Sequence, residues 1–299
     1  MNVYNFIVKT YGAVYNRPHI PYWTLSPVRN LLRVIANFTL SQILENREKV
    51  ENRNNRSSII VSFTSFPARI NNVWQVVECM LRQTYQPDKI ILWLSKEQFP
   101  TADSIPPSLR DREGEIFQIR IVDGDIRSHK KYYYVSNEYP DALIFLIDDD
   151  IYYPTDLLER TLKAHEEHPD CVICNYGYHI GRDAEGMLQP YNSWQHEYKN
   201  CTSNDLFFGS GGGTLFRPSE LYKDLTNIEL ARELCPIADD IWLNAMVKLA
   251  GKPLCILSNG LILPVYSKGD SKLATENMGE GMNDVQIKAV TDYYKTSIF

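Results

Sequence analysis

The stretch that decides the fold is "ALIFLIDDDIYYP", Ala142 to Pro154. Leu143 to Ile147 are all apolar and run directly into Asp148, Asp149 and Asp150. A short apolar run ending in charge reads as a strand buried on both faces, the kind found in parallel sheets. Three adjacent carboxylates at its mouth repel one another. They are costly unless protonation or a cation offsets their charge.

Outward from this strand the pattern alternates. "IIVSFT" (59–64), "KIILWLS" (89–95) and "EIFQIRIVD" (115–123) read as further strands. "INNVWQVVECMLRQ" (70–83) places Ile70, Val73, Trp74, Val77, Met80 and Leu81 on one helical face. "KKYYYVSNEY" (130–139) reads as helical, and "PTDLLERTLKAHEEH" (154–168) opens with Pro154 at a first helical position. Such alternation predicts an α/β fold with a mostly parallel sheet flanked by helices. Ligands bind such sheets beyond the carboxyl ends of the strands. Thr64-Ser65, Ser95, Asp123-Gly124-Asp125 and the aspartate triplet are therefore the informative positions.

After about residue 176 the alternation weakens. "GYHIGRDAEGMLQPY" reads as a hairpin turning near Asp183 to Gly186, and Gly211, Gly212 and Gly213 precede a short strand. "ADDIWLNAMVKLAG" (238–251) is a helix with Gly251 as its stop signal, and "NDVQIKAVTDYYK" is a last helix.

At 299 residues and 44% hydrophobic, the chain can bury one large core with appendages. A net charge of −6 argues against non-specific nucleic-acid binding. Residues 1–44 depart from this average: they hold Lys9, Arg17, Arg29 and Arg33 and no acidic residue, which leaves −10 for the rest. Within them, "SPVRNLLRVIANFTLSQIL" predicts a helix starting at Ser26-Pro27, with Val28, Leu31, Leu32, Ile35, Phe38 and Ile43 as its apolar face. The polar run 51–58 reads as a linker. This extension either packs on the main domain or rests a basic, aromatic face on an anionic membrane. The N-terminus lacks the pattern of a secretory signal, and no apolar run approaches the ~20 residues of a membrane span. Cys171 and Cys174 form a CxxC in a strand with no second pair, so the six cysteines read as reduced thiols of a cytosolic protein.

Helix capping does not explain the triplet, because Tyr153 would occupy the cap before Pro154. An EF-hand needs carboxylates at alternate positions followed by glycine. The remaining reading is a hard-cation site on Asp148 and Asp150, with Asp149 on the opposite face. Mn2+ or Mg2+ there would take its other ligands from substrate phosphates. Lys130 and Lys131, near the third strand end, and Arg69, after the first, are candidates for phosphate oxygens; otherwise they are surface charges. A second acidic pair, Asp239-Asp240, heads the Trp242 helix, where capping and dipole would account for one aspartate. The three glycines fit either close approach to a sugar or phosphate or a flexible turn. Trp194 is either an acceptor platform or lid, or a packed aromatic.

"IIVSFTSFPARI", "YQPDKIILWLS", "LIFLIDDDIYYP", "SGGGTLF" and "ADDIWLNAM", in that order, resemble a bacterial glycosyltransferase of the GT-A fold, close to family 2. The resemblance spans roughly residues 58–295. Residues 1–58 read as a helical extension, and the resemblance implies a Rossmann-like GT-A domain (59–299), divided into nucleotide-binding (59–175) and acceptor-binding (176–299) halves. It implies a hexosyltransferase-type enzyme of bacterial surface polysaccharide synthesis that is metal-dependent and inverting. Sugar would pass from a nucleotide-diphosphate donor, a UDP-sugar favoured, to a hydroxyl of a glycan or lipid-linked acceptor. The expected location is cytoplasmic, with peripheral contact at the inner face of the membrane.

Residue by residue, the resemblance puts the metal on Asp150, with Asp148 aiding through the ribose or a water. Thr64 to Arg69 would lie beside base and ribose, Asp123 near the base, and Asp149 among the donor contacts. Asp240, with Asp239, supplies the base. Ser95 stands where the family carries an early acidic residue, which leaves base specificity open. Two other classes compete. A metal-dependent nucleotidyltransferase wants a glycine-rich loop after the first strand, and "TSFPARINN" has no glycine. A non-catalytic sugar-nucleotide or polysaccharide-binding module has no use for the second acidic pair.

Overall fold

Strand β1 (Ile59–Thr64) occupies the middle of the parallel half of the central sheet in the computed structural model, which describes residues 3–15, 22–46, 59–197, 200–257, 263–265 and 281–299. It pairs in parallel with β2 (Lys89–Ser95) and β4 (Leu143–Leu146), and β3 (Phe117–Val122) adds in parallel to β2. Successive side chains of these strands enter two different cores. Ile59, Val61, Phe63 and Phe145 fill one, while Ile60, Ile91, Trp93 and Ile144 fill the other. Continuous apolar strands are what a sheet covered on both faces requires.

The full eight-stranded order is β3-β2-β1-β4-β11-β6-β12-β9. β11 (Thr214–Phe216) runs antiparallel to both β4 and β6 (Val172–Cys174). β12 (Leu254–Ile256) is parallel to β6, and β9 (Cys201–Ser203) is the antiparallel edge. Strands from both sides of residue 175 thus share one sheet. β7 (Gly177–His179), β8 (Gln195–His196) and β10 (Leu206–Phe208) make a smaller sheet, and β5 (Ile151–Tyr152) pairs with β13 (Leu263–Pro264). The expected hairpin turn forms between Asp183 and Met187, with the Asp183 carboxylate accepting from the backbone of Glu185 and Met187.

One face of the sheet carries α1 (Val3–Tyr15), α2 (Tyr22–Glu45), α3 (Val73–Leu81), α4 (Pro107–Arg110) and α6 (Leu157–Glu167). The other carries α5 (Lys130–Glu138), α7 (Ile228–Leu234), α8 (Asp239–Leu249) and α9 (Met282–Tyr294). The result is a three-layer α/β architecture.

Three boundaries depart from expectation. α3 starts at Val73 behind a single 3-10 turn, Ile70–Asn72. α6 starts at Leu157 with Asp156 at its cap position. The carbonyl of Pro154 accepts from Gln83 Nε2 and the amide of Thr155 donates to Asn5 Oδ1, so this segment is tied to the loop after α3 and to α1 instead. α2 begins at Tyr22 and runs through Pro27, which removes a single hydrogen bond near the helix start.

α2 is also rotated from its expected orientation. Val28, Leu31, Ile35 and Phe38 face solvent, while Ala36, Leu40 and Leu44 are buried and Leu32 and Ile43 are partly covered. The buried row is a clean i, i+4 series, and the guanidinium of Arg82 fixes its C-terminal end by donating to the carbonyls of Ile43, Leu44 and Asn46. The linker expected at 51–58 lies outside the described residues. Among the described residues, no helix is long and apolar enough to cross a membrane.

The orientation of α2 can be checked by unfolding in urea. Leu40→Ala, at a fully buried position, should cost about 2–5 kcal/mol. Leu31→Ala should stay within about 0.5 kcal/mol of the parent. The reverse ranking would place the wrong face inward.

Candidate active site

β4 ends at Leu146, so Asp148, Asp149 and Asp150 lie in the turn leading to β5. Backbone contacts fix this turn. The amide of Asp148 donates to Tyr153 Oη (2.8 Å) and to the Gly211 carbonyl (3.2 Å), and Tyr153 Oη donates to that same carbonyl. The amide of Val265 donates to the Asp150 carbonyl at 2.7 Å. A Cβ on Gly211 would lie 1.7 Å from Asp148 Oδ2, and Gly213 has φ +101°. The triple glycine is therefore a close-packed joint against the aspartate turn.

Strand alternation does not govern side chains in a turn. Asp149 is buried, accepting from Ser65 Oγ (2.5 Å) and Arg69 Nη1 (2.8 Å). The same guanidinium nitrogen lies 2.9 Å from Asp150 Oδ2. Burial pushes the Asp149 pKa up, against the pull of Arg69 and Ser65. Asp148 is paired with Lys131 at 3.0 Å. Each carboxylate of the triplet thus meets a cation supplied by the β1–α3 loop or by α5.

Lys131 is the link to the second acidic pair. Its carbonyl accepts from Ser62 Oγ on β1 (2.5 Å), which in turn accepts from the Trp93 indole on β2 (3.0 Å). Its buried ammonium lies 3.0 Å from Asp148 and 3.0 Å from Asp239 Oδ2. Burial opposes the charge, but Asp148, Asp239 and Asp240 outweigh it and hold the Lys131 pKa well above its ordinary value.

Asp239 and Asp240 occupy the first turn of α8 behind Ala238, and neither caps the helix. Ser210 holds both: its amide donates to Asp240 Oδ1 (2.8 Å) and its hydroxyl to Asp239 Oδ2 (3.0 Å). Burial would raise Asp239, but Lys131 overcomes this and holds its pKa below the usual range. Burial, then the adjacent Asp239 charge, push Asp240 up to about 7. Asp240 is thus the member of the pair that exchanges a proton near neutrality.

These groups face one cavity of about 690 Å³. Thr64, Arg69, Lys130, Lys131, Asp148, Asp149, Asp239 and Asp240 all stand in its wall. Asp150, Trp194 and the three glycines are not among the lining residues. Trp194 is buried against Tyr191 and Phe207, with ring centroids 5.0 and 5.4 Å away, and those two rings do line the cavity.

Asp123 points elsewhere. Its side chain is 91% exposed, pairs with Lys96, and borders a separate hollow. Two residues on, Asp125 enters the cavity wall and accepts from Gln98 Nε2 (2.7 Å), the Arg127 amide (2.9 Å) and the buried Lys130 ammonium. Arg127 adopts φ 53°, an uncommon conformation for a side-chain-bearing residue, stabilised by that amide contact. Nothing local to Ser210 signals its role, because its partners lie some thirty positions away. Asp125 was visible only as one of two aspartates after a strand.

The donor chemistry of the triplet fits a hard divalent cation. Asp148, in the wall, and Asp150, beside Arg69, offer carboxylate oxygens, and such an ion commonly takes one or two of these and completes its shell with water and phosphate. The triplet is not a ready-made cage. Among the described residues, the group with three ligand atoms within 4.8 Å is His179, Glu197 and Cys201, beside the smaller sheet.

Residues 134–223 match the family model described as glycosyl transferase family 2. The match covers the C-terminal half of α5, the triplet and the triple glycine; it begins after Lys130 and Lys131 and ends before Asp239-Asp240. No curated protein matches the chain. A solved structure described as 4-diphosphocytidyl-2C-methyl-D-erythritol synthase superposes with a TM-score of 0.45 and 14% identity, over 73% of this chain and 98% of that one.

Removing the shared cation should show how the two acidic clusters depend on it. Lys131→Met should lose about 3–5 kcal/mol at pH 8, because Asp148 and Asp239 lose their partner. The loss should shrink in acid as Asp239, left unpaired in the variant, takes up a proton. A pH-independent loss in urea titrations would assign Lys131 a packing role only.

Proposed function

We propose that this chain, whose residues 134–223 match glycosyl transferase family 2, is a metal-dependent glycosyltransferase that uses a nucleotide-diphosphate sugar. One observation carries the reading: the aspartate turn and the Asp239-Asp240 pair meet in a single cavity, joined by Lys131. The family match supports a glycosyltransferase-type enzyme. The donor as a UDP-sugar, the acceptor as a glycan or lipid-linked hydroxyl, hexosyl transfer in surface polysaccharide synthesis, and a cytoplasmic setting are our reading of the site and the resemblance.

The cavity has two chemical sides. Thr64, Ser65, Arg69 and Asp149 make a polar side under the β1 end, suited to a nucleotide diphosphate. Asp148 and Asp150 would hold Mn2+ or Mg2+, which supplies positive charge for a departing diphosphate when bound. Tyr191, Phe207, Ile237 and Ile241 line the side near Asp240 and offer the apolar faces on which sugar rings pack. Trp194 acts in this reading by supporting Tyr191.

Asp240 takes the proton of the acceptor hydroxyl. The hydroxyl oxygen then bonds to the anomeric carbon as the bond from that carbon to phosphate oxygen breaks, and the electron pair leaves on the diphosphate. A single displacement of this kind inverts the anomeric centre. Ser210 orients the base through its amide, and Asp239, ionised against Lys131, raises the basicity of Asp240.

A donor screen by thermal shift, with and without Mn2+, tests substrate class. A donor at 100 times its dissociation constant should add about 2.7 kcal/mol. Turnover should release a nucleoside diphosphate, whereas pyrophosphate release would identify a nucleotidyltransferase. Asp240→Asn should lower kcat by about 10² to 10⁴ without weakening the metal-dependent donor shift. In the parent, kcat/KM should rise with pH through about 7 as Asp240 loses its proton. An acidic limb unchanged in Asp240→Asn would remove Asp240 from the role of base.

A further inference from the structure

The outward face of α2 is unlike the rest of the surface. Val28, Leu31, Val34, Ile35 and Phe38 are 49 to 67% exposed and recur at helical spacing over about three turns. On α1, Val3 and Phe6 are exposed as well. Scattered exposed apolar residues are ordinary, but a continuous stripe of large ones on a helix marks a surface that another phase or molecule covers. The stripe is not a consequence of a loosely attached helix, since the opposite side of α2 is buried through Ala36, Leu40 and Leu44 and tied down by Arg82.

We infer that this stripe docks the protein on an anionic lipid surface, α2 lying in the plane of the headgroups with its apolar side chains directed at the acyl boundary. Charge selects this occupant over a second copy of the chain. Residues 1–44 carry four basic residues and no acidic one, Lys9 pairing with Asp156 at 2.8 Å and leaving three for an outside partner, while the remainder of the chain carries −10. Pairing two copies through this face would oppose two cationic segments, whereas an anionic bilayer attracts the segment and repels the rest. The length also fits: α2 lacks the continuous apolar run needed to span a bilayer, and one apolar side is what an in-plane helix needs.

The docked helices are built into the body that carries the aspartate turn. Tyr4 Oη on α1 donates to the Tyr153 carbonyl at 2.8 Å, and Asn37 Nδ2 on α2 donates to the Pro264 carbonyl at 3.0 Å, next to the residue that binds the Asp150 carbonyl. Lipid contact would therefore fix the cavity close to the bilayer, where a lipid-linked hydroxyl would be presented. The docking itself stands apart from the transfer chemistry.

The experiment is co-sedimentation of the full chain with vesicles of phosphatidylcholine alone and of phosphatidylcholine containing about a third phosphatidylglycerol. Binding is expected to the anionic vesicles and to fall with added salt. Leu31→Ser, Val34→Ser and Phe38→Ser combined should weaken it by about tenfold or more while circular dichroism, melting and the metal-dependent donor shift stay unchanged. No binding to either vesicle, or equal binding by the triple variant, would overturn the inference. So would concentration-dependent dimerisation that the same substitutions abolish in a chain without lipid affinity, which would assign the stripe to a second copy. Because donor binding is read separately, failure here leaves the proposed reaction standing, and the converse holds.

Discussion

One buried ammonium holds the site together. Lys131 stands between Asp148, from the turn after β4, and Asp239, from the first turn of α8. The two carboxylates are more than ninety residues apart in the chain and belong to different layers of the fold. Bringing three or four acidic groups to one cavity without a shared cation would cost several kcal/mol in desolvation and repulsion. With Lys131 present, the negative charge is distributed unevenly: Asp239 stays ionised, and its charge helps lift Asp240 to about 7. The same cation that stabilises the arrangement therefore sets which carboxyl is poised for proton transfer.

Much of the fold was legible because its signals are local. Strands buried on both faces have no polar alternation, and the runs at 59–64, 89–95 and 143–147 read that way without any tertiary information. The helix headed by Asp239-Asp240 and stopped at Gly251, with its φ of +69°, was equally plain. What was not legible depends on which of two faces meets the core. α2 has apolar residues nearly all round, and the row chosen for burial is the one whose spacing and small Ala36 allow close packing. β11 is a second example: its three residues read as a strand, but nothing in them specified insertion between β4 and β6.

The candidate site divides the same way. Residue types at strand ends pointed to Arg69, Lys131, Asp148 and Asp149, and the structure gathers them in one wall. Their partners did not follow from type. Lysines placed near phosphates by composition are already paired within the protein, Lys130 with Asp125 and Lys131 with two aspartates. Asp125 rather than Asp123 faces inward because a glycine with φ +81° lies between them and turns the chain. Ser210, which positions both acidic residues of α8, is invisible until β11 folds back beside β4.

The clamp formed by Tyr153 and the Gly211 carbonyl grips only the main chain at Asp148. Contour and ionic character of this turn are thus specified by separate atoms. A lineage can neutralise the carboxylates while the peptide path persists, so inactive descendants of such a scaffold should keep the tyrosine after the acids have drifted away, whereas the glycine, denied a side chain by the Asp148 carboxylate, is released with it. In any comparison of relatives, the tyrosine reports on architecture, and the acids, with the glycine packed against them, report on chemistry.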